Sequence, residues 1–153
     1  MKCRASLLLL ILAASCSPPS EPDVGADKAW SRPTAAREQA AVVYLNIVNR
    51  GAASDRLLSV HTGDGARASL HESSMEGGVM RMRSLDGGLD VAPHSTVELK
   101  PNGTHIMLEG LRAPLRAGTS FLITLRFEKS PEQQVQVQVG EANASSHAHG
   151  TKL

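Results

Sequence analysis

Cysteine is nearly absent from this chain, and aromatic residues are few. Among its 153 residues only Cys3 and Cys16 are cysteines, and both lie in the first sixteen positions. The rest of the chain has no thiol for an internal disulfide, a thiolate metal ligand or a cysteine nucleophile. Electron-transfer sites that join a cysteine thiolate to two histidines are therefore excluded. One Trp, one Tyr and two Phe are also fewer than an aromatic-lined binding fold usually carries.

A surplus of charge of either sign is missing as well. The formal net charge is +1, and without Lys2 and Arg4 it becomes −1, because 14 basic residues then face 15 acidic ones. The sequence offers no basic face for nucleic acid, so no nucleic-acid partner is expected. Its acidic residues are scattered, and no Ser, His and Asp arrangement of a hydrolase is readable. We therefore expect that the protein is not an enzyme.

No apolar run is long enough to span a bilayer, which takes about 20 residues. The run Leu7–Ala14 has instead the length of the apolar region of a signal peptide and follows the basic residue Lys2. Small residues then precede Cys16, as in the bacterial lipobox. Residues 1–16 are therefore interpreted as a signal peptide with a lipobox-like cleavage site and lipidation at Cys16, and an ordinary signal peptide cleaved near Ser15 is the alternative. Either interpretation predicts an exported, periplasmic protein, and the first adds a lipid anchor to a membrane.

Composition divides the remaining chain into three parts. Residues 17–28 are rich in Pro, Ser and acidic side chains, which predicts a flexible tether. Residues 29–140 carry the pattern of a folded domain. Residues 141–153 have no apolar periodicity and predict a disordered tail that contains histidines.

Short apolar and alternating segments separated by turn residues dominate the predicted domain. No segment keeps the helical period of 3.6 residues between apolar positions over three turns. The sequence therefore predicts an all-β fold, either a sandwich or a barrel. Eight strand candidates are present: 41–48, 56–62, 67–73, 79–85, 95–100, 104–110, 120–128 and 133–139.

Histidine and methionine concentrate in one part of the domain. Leaving aside His94, which is interpreted as a surface histidine, six of these residues lie within 37 positions: His71, Met75, Met80, Met82, His105 and Met107. Because residues two apart on a strand share a face, His105 and Met107 point together, away from Ile106 and Leu108. If the latter pair is in the core, the His-x-Met pair faces outward, which core packing would not select. Met80 and Met82 share a face opposite two arginines, so Met80 fits a core position or a ligand position equally well.

These side chains suit one ion. Thioether sulfur is soft and neutral and needs no deprotonation to bind, and soft ligands select Cu(I) over Zn, Mg or Ca. Neutral imidazole is a second donor that copper accepts. Two imidazoles and two thioethers leave the charge of the ion uncompensated, so the site should bind more weakly than a thiolate pair, as a protein that passes its metal on requires.

The linked motifs from Trp30 to Val139 resemble the periplasmic copper chaperones of the PCu(A)C family. The resemblance includes Leu70-His71-Glu72, the run Gly78 to Arg83 and the run Leu99 to Leu108. The family pattern is a His, a Met about ten residues later, and a His-x-Met about twenty residues beyond. In this sequence ten residues separate the first His and Met, and 22 separate that Met from the next His. The family ligands therefore map onto His71, Met82, His105 and Met107.

The resemblance implies a cupredoxin-like (Greek-key) β-sandwich of about seven to nine strands that binds one Cu(I) outside the cytoplasm. It also implies delivery of copper to a receiving protein, either a cytochrome c oxidase copper subunit or a second copper chaperone. Alternative functions are a copper storage or resistance lipoprotein and a structural β-sandwich lipoprotein without metal. Asn102 stands where the family usually has the first of two glycines, a change that a turn tolerates because Asn also adopts positive φ.

Other residues are candidates for supporting roles. Met75, assigned to the loop before Gly77, is an auxiliary ligand candidate, and Glu72 could hydrogen-bond a ligand. His147 and His149 form a His-x-His pair in the tail, which would suit a weaker second site for Cu(II).

Overall fold

The computed structural model describes residues 21–140. Within this range the secondary structure consists of β-strands joined by turns and loops, with no helix. The strands are β1 (Val24–Ser31), β2 (Ala40–Asn49), β3 (Asp55–Thr62), β4 (Arg67–Glu76), β5 (Val79–Ser84), β6 (Leu89–Val91), β7 (Ser95–Leu99), β8 (Thr104–Glu109), β9 (Ser120–Phe127) and β10 (Gln133–Val139). The predicted all-β sandwich is confirmed, with ten strands instead of seven to nine.

The strands form one hydrogen-bonded path that folds over on itself. Its order is β5-β4-β8-β2-β1-β10-β9-β3-β6, and β7 pairs with the second half of β2. Because β3 also packs against β4, and β6 against β2, the path closes into two layers around a single core. The strand β2 shows how its side chains fill this core. Its odd positions Val43, Leu45 and Ile47 are buried, while the side chains at its even positions are only partly buried.

The first strand was missed by the sequence prediction, and part of the predicted tether is wrong for that reason. Residues 24–28 were assigned to a flexible segment, but they belong to β1, which pairs antiparallel with β2 and parallel with β10. The register shifts between Asp27 and Trp30, where Lys28 adopts a φ of 52°. Before this irregularity an even-numbered residue, Val24, is buried, and after it an odd-numbered residue, Ala29, is buried. The apolar period of two that would mark a strand is therefore interrupted in the sequence.

A buried carboxylate fixes the start of β3 to the connection between β9 and β10. Asp55 is 3% exposed. Its carboxylate accepts hydrogen bonds from the backbone N–H groups of Arg56 (2.8 Å), Lys129 (3.0 Å) and Ser130 (2.9 Å). Burial raises the pKa of Asp55, but the hydrogen bonds from Ser130 and from the backbone of Arg56 and Lys129 outweigh it and hold the pKa below its ordinary value.

Residues 21–140 contain no helix with the length and apolar character that a membrane span requires. The predicted signal peptide, the predicted lipidation site Cys16 and the predicted tail with His147 and His149 lie outside the described residues.

Candidate metal centre

The pairing of β4 with β8 brings two histidines together that are far apart in the sequence. His71 on β4 lies directly opposite His105 on β8. Their rings stack, with centroids 5.9 Å apart and planes 17° from parallel. The sheet therefore places two imidazoles side by side.

Both histidines lie on the side of the sheet that faces away from the core. The alternation of β8 buries Ile106 and Leu108 completely and turns His105 and Met107 to the opposite side, as predicted. We call this outer side the His–Met face. It comprises Ser69, His71, Ser73 and Met75 on β4, His105 and Met107 on β8, and Met80, Met82 and Ser84 on β5.

His105 is less accessible than the sequence suggested. It was expected to point into solvent, but it is 4% exposed, and Met107 is half-buried. The ring lies against His71, and its Nδ1 is 2.9 Å from the carbonyl oxygen of Gly103. Because a carbonyl only accepts, Nδ1 carries the proton and Nε2 keeps its lone pair for a ligand. Metal-binding histidines are commonly oriented in this way.

His71 has one nitrogen with a partner and one without. Its Nε2 lies 2.9 Å from the hydroxyl oxygen of Ser69. Its Nδ1 is buried and has no hydrogen-bond partner among residues 21–140. An orphaned buried nitrogen is costly, and a metal ion bound to its lone pair would remove that cost when Nε2–H donates to Ser69. The fit of a soft cation to this face rests on this atom and on the neighbouring thioethers.

Met107 and Met82 flank the two imidazoles from opposite sides. Met107 follows His105 by two residues on β8 and lies opposite Ser69 on β4. Met82 lies on β5 opposite Ser73, one diagonal step from His71. Diagonal neighbours in an antiparallel pair are about 7–8 Å apart at their Cα atoms, within reach of long side chains. The four residues matched to the family pattern therefore share one face on three adjacent strands.

Two assignments made from sequence change here. Met75 was placed in a loop, but it is part of β4 and pairs with Met80 across the hairpin, because β4 continues to Glu76. Met80 is not a core residue, since it is 46% exposed. Both methionines lie on the His–Met face with Met82, beyond the edge of the core.

Glu72 does not support a histidine. It forms an ion pair with Arg83, whose Nη2 lies 3.0 Å from the Glu72 carboxylate, on the reverse side of the hairpin. Arg81 pairs in the same way with Glu76 at 3.2 Å. The physical reason is strand parity, because Glu72 follows His71 directly and so points to the other face.

The partners that do orient the histidines are Ser69 and the Gly103 carbonyl, which the sequence prediction missed. Ser69 lies within β4 and Gly103 in the turn before β8, and each stands two residues before its histidine. An i, i+2 spacing is therefore the sequence signal that could have identified them.

Carboxylates do not join the two imidazoles. Within residues 21–140 no three His, Cys, Asp or Glu side chains gather in a way that could hold a metal ion. A metal on the His–Met face would have to complete its coordination with thioethers.

Comparisons with known proteins agree with this architecture. Residues 24–139 match the family described as "Putative lipoprotein LpqE-like". The chain is 30% identical over 135 residues to "Putative lipoprotein Lxx21020" of Leifsonia xyli subsp. xyli, covering 88% of this chain and 80% of that protein. It is 27% identical over 128 residues to "Uncharacterized protein RP573" of Rickettsia prowazekii, covering 82% and 71%.

Solved structures with a similar fold are PCuAC domains. The copper-bound PCuAC domain from PmoF2 superposes with a TM-score of 0.64 at 25% identity, covering 76% of this chain and 91% of that one. The solution structure of CuI-DR1885 from Deinococcus radiodurans superposes with a TM-score of 0.59 at 23% identity, covering 83% and 82%. The cupredoxin-like fold and the resemblance to PCu(A)C proteins are thus confirmed, and the chain belongs to the LpqE-like lipoprotein family.

Proposed function

We propose that this protein is an extracytoplasmic carrier of Cu(I) that binds one ion through His71, Met82, His105 and Met107. The observation that carries the proposal is a stacked pair of imidazoles between two thioethers on one face, in which His105 is buried and the buried Nδ1 of His71 has no hydrogen-bond partner among the described residues. Relatives of the same fold support copper as the cargo, since one was solved copper-bound and another with Cu(I).

Each donor has a defined part in this proposal. His105 offers Nε2 because Gly103 takes the proton-bearing Nδ1, and His71 offers Nδ1 because Ser69 occupies its Nε2. Met107 supplies a thioether at the half-buried end. Met82 supplies one at the exposed end, where it is 53% exposed. Soft neutral sulfur favours Cu(I) over the harder divalent ions.

The cargo is handed to a copper-receiving protein, and we propose the copper centre of cytochrome c oxidase or a second copper chaperone as the acceptor. Four neutral ligands leave the positive charge of the ion uncompensated, which keeps affinity moderate and favours release. In this role the protein is a carrier and not an enzyme.

We also propose that the protein is exported and held at a membrane by lipidation of Cys16. The lipoprotein names of its family and of its relative from Leifsonia xyli support this location. A weaker Cu(II) site at His147 and His149 in the tail is a further part of the proposal.

The ligand set is tested by X-ray absorption at the copper edge on the Cu(I)-loaded protein with Cys3→Ser and Cys16→Ser. We expect a mixed shell of sulfur and nitrogen that loses sulfur in Met107→Leu, a substitution of similar volume. His61→Ala is the control, because His61 bonds Ser59 elsewhere on the surface. A shell of nitrogen and oxygen alone in the parent protein would overturn the proposal.

Delivery is distinguished from storage by a transfer assay. The loaded protein is mixed with a soluble oxidase copper domain, and the copper in each is measured after separation. Transfer to the acceptor is expected. Retention of all the copper would favour a storage or resistance lipoprotein.

A further inference from the structure

The hairpin of β4 and β5 carries three methionines whose relative positions are fixed by its turn. Gly77 and Gly78 connect the strands, with φ values of 60° and 80°. Two central residues of positive φ are typical of a type I′ turn, which sets the register of a hairpin. Met75 consequently lies opposite Met80. Directly opposed residues have Cβ atoms about 4.5–5.5 Å apart, so the two thioethers can meet over one ion.

Met82 extends this pair toward the histidines. It follows Met80 by two residues on the same face of β5, roughly 7 Å along the strand. The thioethers thus form a row from the tip of the hairpin, Met75 and Met80, through Met82 to the stacked imidazoles. We call Met75, Met80 and Met82 the thioether row.

Core packing does not account for these side chains. Met75, Met80 and Met82 are 64%, 46% and 53% exposed, and every residue of β5 is exposed. Apolar side chains are ordinarily buried, where each contributes to stability.

An apolar docking surface does not account for them either, because methionine is the only apolar residue type on the outer side of the hairpin. The outer positions of the hairpin hold only Met and Ser: Ser73, Met75, Met80, Met82 and Ser84. All methionines of the chain except Met1 lie on the His–Met face. Leu, Ile and Phe, the other large apolar residues that a docking surface uses, are absent from these outer positions.

Charge on the hairpin is arranged to leave this row free for a cation. Its arginines lie on the reverse side, where Arg81 pairs with Glu76 and Arg83 with Glu72. No cationic side chain stands among the outer positions of β4 and β5 from Ser73 to Ser84.

From the register, exposure and charge of this row, we infer that it is a second Cu(I) site. Met75 and Met80, with Met82 shared, take up Cu(I) at the tip of the hairpin and pass it along Met82 to the site of His71 and His105. The tip site binds more weakly because it lacks imidazole and is open to solvent. This inference rests on the proposed function, since it supplies the entry route for the same cargo.

The test is a Cu(I) titration against a competing chelator, using the full chain in a common background. The background carries Cys3→Ser, Cys16→Ser, His147→Ala and His149→Ala, so that neither thiols nor the tail contribute. The parent should bind about two ions in two affinity steps. Met75→Leu with Met80→Leu should remove the weaker step and leave the tighter one unchanged. Val79→Leu, on the reverse side of the same hairpin, is the matched control and should retain both steps.

A complementary variant separates this inference from the proposed function. His71→Ala with His105→Ala should abolish the tighter step and keep a weaker one whose copper-edge spectrum shows a sulfur shell. One ion in the parent, unchanged by Met75→Leu with Met80→Leu, would overturn the second site and leave the carrier function standing. Loss of neither step in the histidine variant would instead overturn the proposed function.

Discussion

At the scale of single residues, the site depends on which nitrogen of each histidine is free. Ser69 and the carbonyl of Gly103 each engage one ring nitrogen of the histidine two residues ahead. They hold the rings of His71 and His105 in a stacked arrangement and direct Nδ1 of one and Nε2 of the other away from protein partners. These contacts restrict the rotation of both rings, so fewer conformations must be lost when an ion binds.

Removing the Ser69 hydroxyl should weaken Cu(I) binding without unfolding the domain. We expect Ser69→Ala to lower Cu(I) affinity by about 10–100-fold, the usual loss when the partner of a metal-binding histidine is removed. The measurement is a competition titration with a Cu(I) chelator.

The chain offers a matched control for this substitution. Ser59 contacts Nε2 of His61 at 3.1 Å with the same spacing on β3, and neither residue belongs to the site. Ser59→Ala should leave Cu(I) affinity unchanged. Equal affinities for the two variants would show that the Ser69 contact does not orient the ligand.

The sequence predicted which residue types the candidate site contains but not the contacts that orient its histidines. Strand parity placed Met107 beside His105 and opposite Ile106, because a period of two is a local property of the chain. The pairing of His71 with His105, which are 34 positions apart, depends on the register of two strands, which no local pattern encodes. The burial of His105 follows from that pairing and was missed with it.

At the scale of elements, Asp55 joins β3 to the connection between β9 and β10. A carboxylate whose pKa is lower in the folded state than in the unfolded state stabilises the fold above the unfolded value. That stabilisation is lost as the pH falls through the folded pKa. For Asp55 the direction of the shift places this loss below the ordinary value of 3.8.

Asp55→Asn should therefore be less stable at neutral pH than the parent protein. We expect a loss of about 1.5–3 kcal/mol, the usual contribution of a hydrogen bond to a charged group, and a smaller difference at pH values below the folded pKa. Urea unfolding at pH 7 and at acid pH measures both. Asp90→Asn, at an exposed ion pair with Arg56, should change stability by less than about 1 kcal/mol. Equal losses at the two pH values would contradict this role of the carboxylate.

The strands themselves were largely predictable, and the exceptions have physical reasons. All eight predicted strands are present, because β-branched alternation and turn residues mark them in the sequence. The strand β1 was missed because its irregularity at Lys28 shifts the alternation. The strand β6 has three residues, too few to show a period.

At the scale of the whole molecule, the proposed ligands come from three strands of one sheet. β8 lies inside the sheet between β4 and β2, whereas β5 is its end strand and pairs only with β4. A metal bound across β5, β4 and β8 would hold the hairpin to the sandwich. Binding should therefore raise the stability of the folded state as a whole.

Thermal unfolding with and without Cu(I) measures this effect. An ion that binds only the folded protein at 100 times its dissociation constant adds about 2.7 kcal/mol, so the melting temperature should rise. The increase should be much smaller in Met107→Leu. An unchanged melting temperature in the parent protein would favour a structural lipoprotein without metal.

The position of the proposed ligand Met82 on the end strand also bears on how fast a bound ion could leave. End strands open locally at less free energy than strands paired on both sides, so the Met82 thioether can detach while His71, His105 and Met107 stay in place. An incoming ligand from an acceptor can then enter the vacated position before the ion is released. If Cu(I) is bound as proposed, we expect the transfer rate to rise with acceptor concentration and to level off once the opening of β5 limits it.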